Sequence, residues 1–380
     1  MSRRRRPLLL CAAGALLLAG ISGPAAPGAT APERPPFDTS EWKTDFGKHS
    51  VPLSEIMSGG PPKDGIRAID RPEFVGVDAA DGWLKPREPV IFFVRGSDAR
   101  AYPLQILIWH EIVNDTVGAL PVAITFCPLC NTAIAFDRRV HGQTLSFGTT
   151  GKLRFSDLVM YDRQTESWWQ QATGQAIVGA LTGVQLMPLP AQTISWGTFK
   201  EAFPGGKVLS RHTGYNRPYG ENPYVGYDDV NSSPFLYRGP EDPRLRPMER
   251  VVTVSQGGED VAYPFSTLER VRVVNDTVGG RKIVVLFEKG VTSALDKSSI
   301  PESRDIGTAG VFERTVGGKV LTFAVAGGRI ADAQTGSTWT ILGTAIAGPL
   351  SGARLVPVVH GQHFWFAWAV FQPKTRIYTP

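Results

Sequence analysis

The chain has 380 residues and an ordinary globular composition, long enough for two domains or for one duplicated domain with a large core. Its formal charge of +5 is no argument for nucleic acid, because Arg3, Arg4, Arg5 and Arg6 supply four of those charges and leave about +1 for the rest. With 41 glycines and 30 prolines, many turns between short strands are expected.

Residues 1–31 read as an export signal. The four arginines lead into an apolar stretch from Leu8 to about Ile21, followed by a small-residue tract. Arg5-Arg6-Pro7-Leu8-Leu9 fits a loose twin-arginine pattern, beside an ordinary secretory signal or an uncleaved anchor. The expected location is extracytoplasmic, periplasmic or secreted. No later segment is apolar and long enough to span a bilayer, so no membrane span is expected in the mature chain. Cleavage would remove Cys11 and leave Cys127 and Cys130 as an even pair in a disulfide-permissive compartment.

Residues 32–89 form an N-terminal extension with turns such as Gly59-Gly60-Pro61-Pro62 and few periodic runs. Beyond it the sequence repeats. Val113-Asn114-Asp115-Thr116-Val117-Gly118 returns as Val274-Asn275-Asp276-Thr277-Val278-Gly279, 161 positions later (275 − 114). Ala101-Tyr102-Pro103 returns at the same offset as Ala262-Tyr263-Pro264. Asp162, Thr165 and Ser167 match Asp332, Thr335 and Ser337, and Trp196 matches Trp365. Repeat one is assigned to residues 90–212 and repeat two to residues 250–380. Between them, residues 213–249 are rich in Tyr, Asn, Pro and Gly and are read as an ordered linker.

Within each copy the pattern is mostly strand. Val90-Ile91-Phe92-Phe93-Val94 and Val122-Ala123-Ile124-Thr125-Phe126 are short β-branched and aromatic runs. His141-Gly142 and Gly317-Gly318 read as hairpin turns. A helix is predicted over Tyr102 to Val113, with Pro103 in its first turn and Leu104, Leu107, Ile108 and Ile112 on one face. A second short helix is predicted over Trp196 to Phe203. The fold class is α+β and β-rich: two tandem homologous repeats of short strands and hairpins with a few short helices.

Residues shared by both copies are read as architecture, and residues found only in the first as candidate chemistry. Cys127-Pro128-Leu129-Cys130 has Glu288 and Val291 where the second copy should carry its cysteines. His110 and Glu111 map to Val271 and Arg272. Asn114, Asp115 and Thr116 recur without the cysteines, so a turn-fixing role is favoured. By the same logic Trp168 and Trp169 are assigned to core packing. His141, in a turn, reads as surface, and Lys152 and Arg154 read as exposed charges. There is no phosphate-binding glycine loop, nucleophile elbow, zinc-protease helix or haem attachment motif.

Phe126-Cys127-Pro128-Leu129-Cys130-Asn131-Thr132-Ala133, after the Asn114-Asp115 motif and before Asp162 to Trp168, resembles the bacterial domain-of-unknown-function 3179 family. The likeness is strong over residues 90–209 and weaker over the second copy. It implies little function by itself.

Three readings follow. The leading one is thiol–disulfide redox chemistry at Cys127 and Cys130, needing no cofactor, with Cys127 attacking a partner disulfide or peroxide, Cys130 resolving, and His110 assisting. The alternative is a soft-metal protein holding Cu or Zn through Cys127, Cys130 and His110. The third is a non-catalytic extracytoplasmic binding module with a pocket for a small molecule. A redox partner or small-molecule ligand is expected, and nucleic acid is not.

Overall fold

The computed structural model describes residues 34–380; the export signal expected over residues 1–31 lies outside the described residues. Strands β1 (Pro89–Arg95) and β2 (Asp98–Pro103) form an antiparallel hairpin, with Val90 opposite Pro103. The chain passes directly into helix α1 (Leu104–His110), then into a meander of β3 (Ile112–Val117), β4 (Leu120–Cys127) and β5 (Thr132–Asp137). In that meander Val113 pairs with Ile124, and Ile124 with Ala135. A long hairpin of β6 (Phe147–Arg154) and β7 (Asp157–Asp162) belongs to a separate five-stranded sheet.

The same order of elements returns later. Strands β8 (Arg250–Gln256) and β9 (Glu259–Pro264) lead into α2 (Phe265–Val271), then β10 (Val273–Val278), β11 (Arg281–Glu288) and β12 (Thr308–Glu313). A hairpin of β13 (Phe323–Ala326) and β14 (Arg329–Asp332) follows. Near the C-terminus β15 (Gly361–Phe364) pairs with β8 and runs into α3 (Trp365–Ala369).

The motif residues found in both copies serve structure in both. Asn114 brackets the backbone of Phe147, donating to its carbonyl at 2.8 Å and accepting from its N–H at 2.9 Å. Asn275 does the same at Phe323, at 2.8 Å each way. Asp115 accepts from Arg100 and Tyr102, and Asp276 from Tyr263 and Arg376. Asp162 fixes its turn through the Thr165 N–H and the Trp169 indole; Asp332 repeats this with Thr335 and Trp339.

Helix α1 is shorter than the predicted Tyr102 to Val113. Tyr102 and Pro103 finish β2, and Ile112 and Val113 open β3. The helix stops because Glu111 takes a left-handed φ of 57°, as Arg272 does after α2 at 58°. The helix predicted over Trp196 to Phe203 spans Trp196–Ala202, with the Ser195 hydroxyl accepting from the Thr198 N–H.

Trp168 and Trp169 are fully buried, and Phe37, Trp42 and Phe46 of the N-terminal extension pack round Trp168. Lys152 and Arg154 are not free surface charges. Lys152 is buried with its ammonium 5.7 Å from the Phe37 ring centre, and Arg154 pairs with Glu55 at 2.7 Å. His141 is exposed at its hairpin turn.

One apolar cluster joins Tyr102, Leu107, Ile124, Phe126, Cys127 and Trp169 to Ala294, Leu295, Phe364 and Phe366 from the second half. A second cluster, with Val252, Tyr263, Leu268 and Phe287, lies within the second half. Among the described residues no helix is long and apolar enough to cross a membrane.

Candidate functional site

Cys127 ends β4 and pairs across the hairpin with Thr132, so Pro128 to Asn131 form the tight loop between β4 and β5. Every residue of β4 except Pro121 is buried, and Cys127 is buried with them; both cysteines are unbonded. Three of the loop's four carbonyls accept hydrogen bonds. Pro128 accepts from the Asn131 N–H at 3.1 Å, Leu129 from the Tyr227 hydroxyl at 3.0 Å, and Cys130 from the Phe364 N–H at 2.9 Å. Asn131 takes a left-handed φ of 49°, which closes the loop.

The third member of the site comes from the β6–β7 hairpin. The two sulfurs and an Asp157 carboxylate oxygen lie within 4.8 Å of one another. Asp157 Oδ2 accepts from the Gln170 amide at 2.5 Å and the Ala172 N–H at 2.9 Å. Its Oδ1 is buried and has no nitrogen or oxygen donor. Next to it, Ser156 offers its carbonyl to the Cys127 sulfur at 3.9 Å and donates its hydroxyl to the Phe235 carbonyl at 2.5 Å. Phe155 and Ser156 form the hairpin turn with φ of 54° and 68°, a conformation that usually selects Asn and Gly. Strain of that kind at a site boundary marks a turn held by its surroundings.

The electrostatics are one-sided. Burial pushes both thiols up, Cys130 more strongly than Cys127, and the nearby Asp157 adds to it. Burial pushes the Asp157 carboxyl up to about 6. Glu111, coupled to Asp157, is pushed up by burial to about 8. Tyr224 and Tyr227 cover the thiols, and burial raises their hydroxyls too. Every one of these groups is an acid, and burial holds each toward its neutral form.

The fold brings Cys127 and Cys130 together but does not add His110 as a third donor. His110 is buried at the end of α1 with Nδ1 2.6 Å from the Arg67 carbonyl and Nε2 2.6 Å from the Tyr219 hydroxyl. The left-handed turn at the next residue directs the chain away, and Glu111 is the neighbour that Cys127 and Asp157 feel. Asp157, which the sequence analysis did not name, is the residue that lies beside the two sulfurs. Its signal was present as a change of offset. The spacing between copies falls from 176 (323 − 147) to 170 (332 − 162) inside this hairpin. The first-half hairpin is therefore longer, and its extra length delivers Ser156 and Asp157; β13 and β14 turn at Gly327-Gly328, short of that point.

Fold and site together define a β-rich α+β protein with a thiol pair and two carboxyl groups buried in one cluster. The chain belongs to the family described as protein of unknown function, DUF3179, whose model matches residues 63–375. No curated protein and no solved structure matches it.

Proposed function

We propose that this protein binds a soft or borderline metal cation, Zn(II) or copper, at Cys127, Cys130 and Asp157. One observation carries the reading: two sulfurs and a carboxylate oxygen converge within 4.8 Å in a buried site. Thiolates select such metals, and a carboxylate is a common companion ligand for zinc. The charge pattern supports it. Metal binding takes protons from ligands, and a divalent cation is the missing partner for a cluster made only of acids. Three protein donors leave a fourth position for water or a small ligand. Parallel use of the same architecture in the second half, without cysteines, fits two homologous repeats of which only the first carries the centre. Export through residues 1–31 would place the centre outside the cytoplasm.

A second reading, thiol–disulfide redox chemistry, is favoured by the proximity of Asp157, a proton acceptor beside two unbonded thiols. One thiol would give its proton to Asp157 and attack a peroxide oxygen, releasing water or alcohol. The second thiol would then displace hydroxide from the sulfenic acid, closing the disulfide. Burial argues against it, since reactive cysteines are partly exposed and acidified.

Native and denaturing mass spectrometry of protein purified without chelator separates the two. One metal ion lost on denaturation, with two alkylatable thiols, supports the metal reading. A mass two hydrogens lighter, without metal, and thiols alkylated only after reduction, would replace it with the redox reading.

A further inference from the structure

A second candidate site lies against α1 at Gln105, and no cysteine lines it. A cavity of about 450 Å³ is lined by Trp83, Glu88, Gln105, Arg211 and Gly220, with the exposed Lys85 and Glu221 at its rim and Ser298, Ser299 and Pro301 on the opposite wall. Its floor is a buried polar chain. The Lys85 N–H donates to Glu88 Oε1 at 2.8 Å, and the Gln105 amide donates to Glu88 Oε2 at 2.7 Å. Gln105 Oε1 in turn accepts from Arg211 Nε at 2.9 Å and Nη2 at 2.5 Å. The Arg211 guanidinium also lies 4.7 Å from the Trp83 ring centre. These contacts use one edge and one face of the guanidinium and fix its orientation.

Arg211 is only half exposed, yet no carboxylate lies within ion-pair distance of it among the described residues, and Lys85 has none either. Glu88 on the floor has both oxygens occupied by donors, and Glu221, the other acid of the lining, is exposed and makes no ion pair with Arg211 or Lys85 among the described residues. Gly220 holds a φ of 103°, where a Cβ would stand 3.4 Å from Arg211 Nη2. The wall carrying Ser298 and Ser299 belongs to the connection between β11 and β12, residues 289–307, where β4 and β5 of the first half are joined by residues 128–131 alone. That stretch is tied to the cavity rim by the Asn222 N–H to the Ser298 carbonyl at 2.8 Å and the Ile300 N–H to the Gly220 carbonyl at 3.1 Å.

We propose that this cavity binds a small oxyanion, a phosphate or a carboxylate group, with Arg211 as its fixed cation, Lys85 as a mobile one at the rim, and the Ser298 and Ser299 hydroxyls as donors from the opposite wall. A guanidinium oriented by Gln105 and Trp83, with no carboxylate in direct contact, keeps donors free for a planar or tetrahedral oxyanion, and hydroxyls complete the shell. Because its walls come from the first half, the linker and the second-half insertion, an occupant would brace the three against one another.

The test is calorimetric titration of the full chain with inorganic phosphate and, separately, acetate, at constant ionic strength. Saturable binding of one equivalent of either ion by the wild type is expected; which ion binds better distinguishes the two sources of the oxyanion. Arg211→Gln is expected to weaken it about tenfold or more, with Arg211→Lys between the two. Lys85→Gln changes an exposed residue, leaves the fold intact and should weaken binding about threefold. Metal content at Cys127 and Cys130, measured on the same samples, should not change, so failure of either site is seen separately. No saturable binding of either ion, or equal binding by wild type, Arg211→Gln and Lys85→Gln, overturns the proposal.

Discussion

Phe364 donates its backbone N–H to the carbonyl of Cys130 at 2.9 Å. The half of the molecule that lacks cysteines thus holds the cysteine loop in place. One residue earlier, His363 Nδ1 lies 2.8 Å from the Thr132 hydroxyl, which itself reaches the Cys130 carbonyl at 3.2 Å. The linker adds Tyr227 on the Leu129 carbonyl. A site built by one half is closed by the other two segments, so its geometry depends on the assembly of the whole chain.

Thr132→Val tests that latch. The change keeps shape but removes the hydroxyl, leaving the buried His363 Nδ1 without its partner. Burial already holds the His363 pKa down at about 3, so the ring cannot recover by ionising. A loss of about 1–3 kcal/mol is expected in urea unfolding. No loss would mean that the latch contributes nothing to the fold.

Asp157→Asn separates ligand from scaffold. The amide keeps the size and can still accept from Gln170 and Ala172 through its oxygen, but it is a poorer metal donor. Zinc affinity, measured by chelator competition, should fall at least about tenfold, while His110→Gln should leave it within about threefold. The reverse ranking would restore His110 as the third ligand.

Much of this was legible in the chain itself. The Asn114 and Asp162 motifs recur, and each makes the same bonds in both places, because a turn fixed by side-chain to backbone bonds needs the same residues wherever it is used. The cysteine pair stood out by its absence from the second copy. His110 was chosen because it also differs between copies, but helical spacing cannot say where a left-handed residue at position 111 will turn the chain. Asp157 escaped because a hairpin extension shows in sequence only as a shift of offset, and the pairing of Arg154 with Asp157 that closes the turn is a three-dimensional fact.

The shared motifs should behave as structure. Asp162 is fully buried and accepts from Thr165 and the Trp169 indole. Asp162→Ala strands those donors and should cost about 1.5–3 kcal/mol or more in unfolding free energy. Asp332→Ala, at the matching turn with the Trp339 indole, should cost a similar amount. Folded Asp332→Ala should retain full metal content, since nothing in that turn touches the cysteines. Loss of metal from well-folded protein would show that the turn has a role beyond architecture.

The buried carboxyls set the pH response of the metal-free protein. Glu111 titrates near 4.5 when unfolded and at about 8 when folded; Asp157 moves from 3.8 to about 6. Below the lower values both states carry the proton and nothing is lost. As pH rises, the unfolded chain ionises first, so it binds fewer protons than the native state and stability falls. Between about pH 6 and pH 8 the Glu111 contribution should fall by about 2 kcal/mol, while His110, His360 and His363, held neutral by burial, push stability the other way up to about pH 7. Glu111→Gln should remove that fall. Metal affinity runs the other way, rising with pH as the thiols give up their protons. Urea unfolding of the chelator-treated protein across this range, beside zinc competition on the same preparation, reads both slopes. The same pH 6 to 8 slope in the metal-free wild type and in Glu111→Gln, which share the histidine contributions, would mean that Glu111 ionises freely and does not belong to the buried cluster.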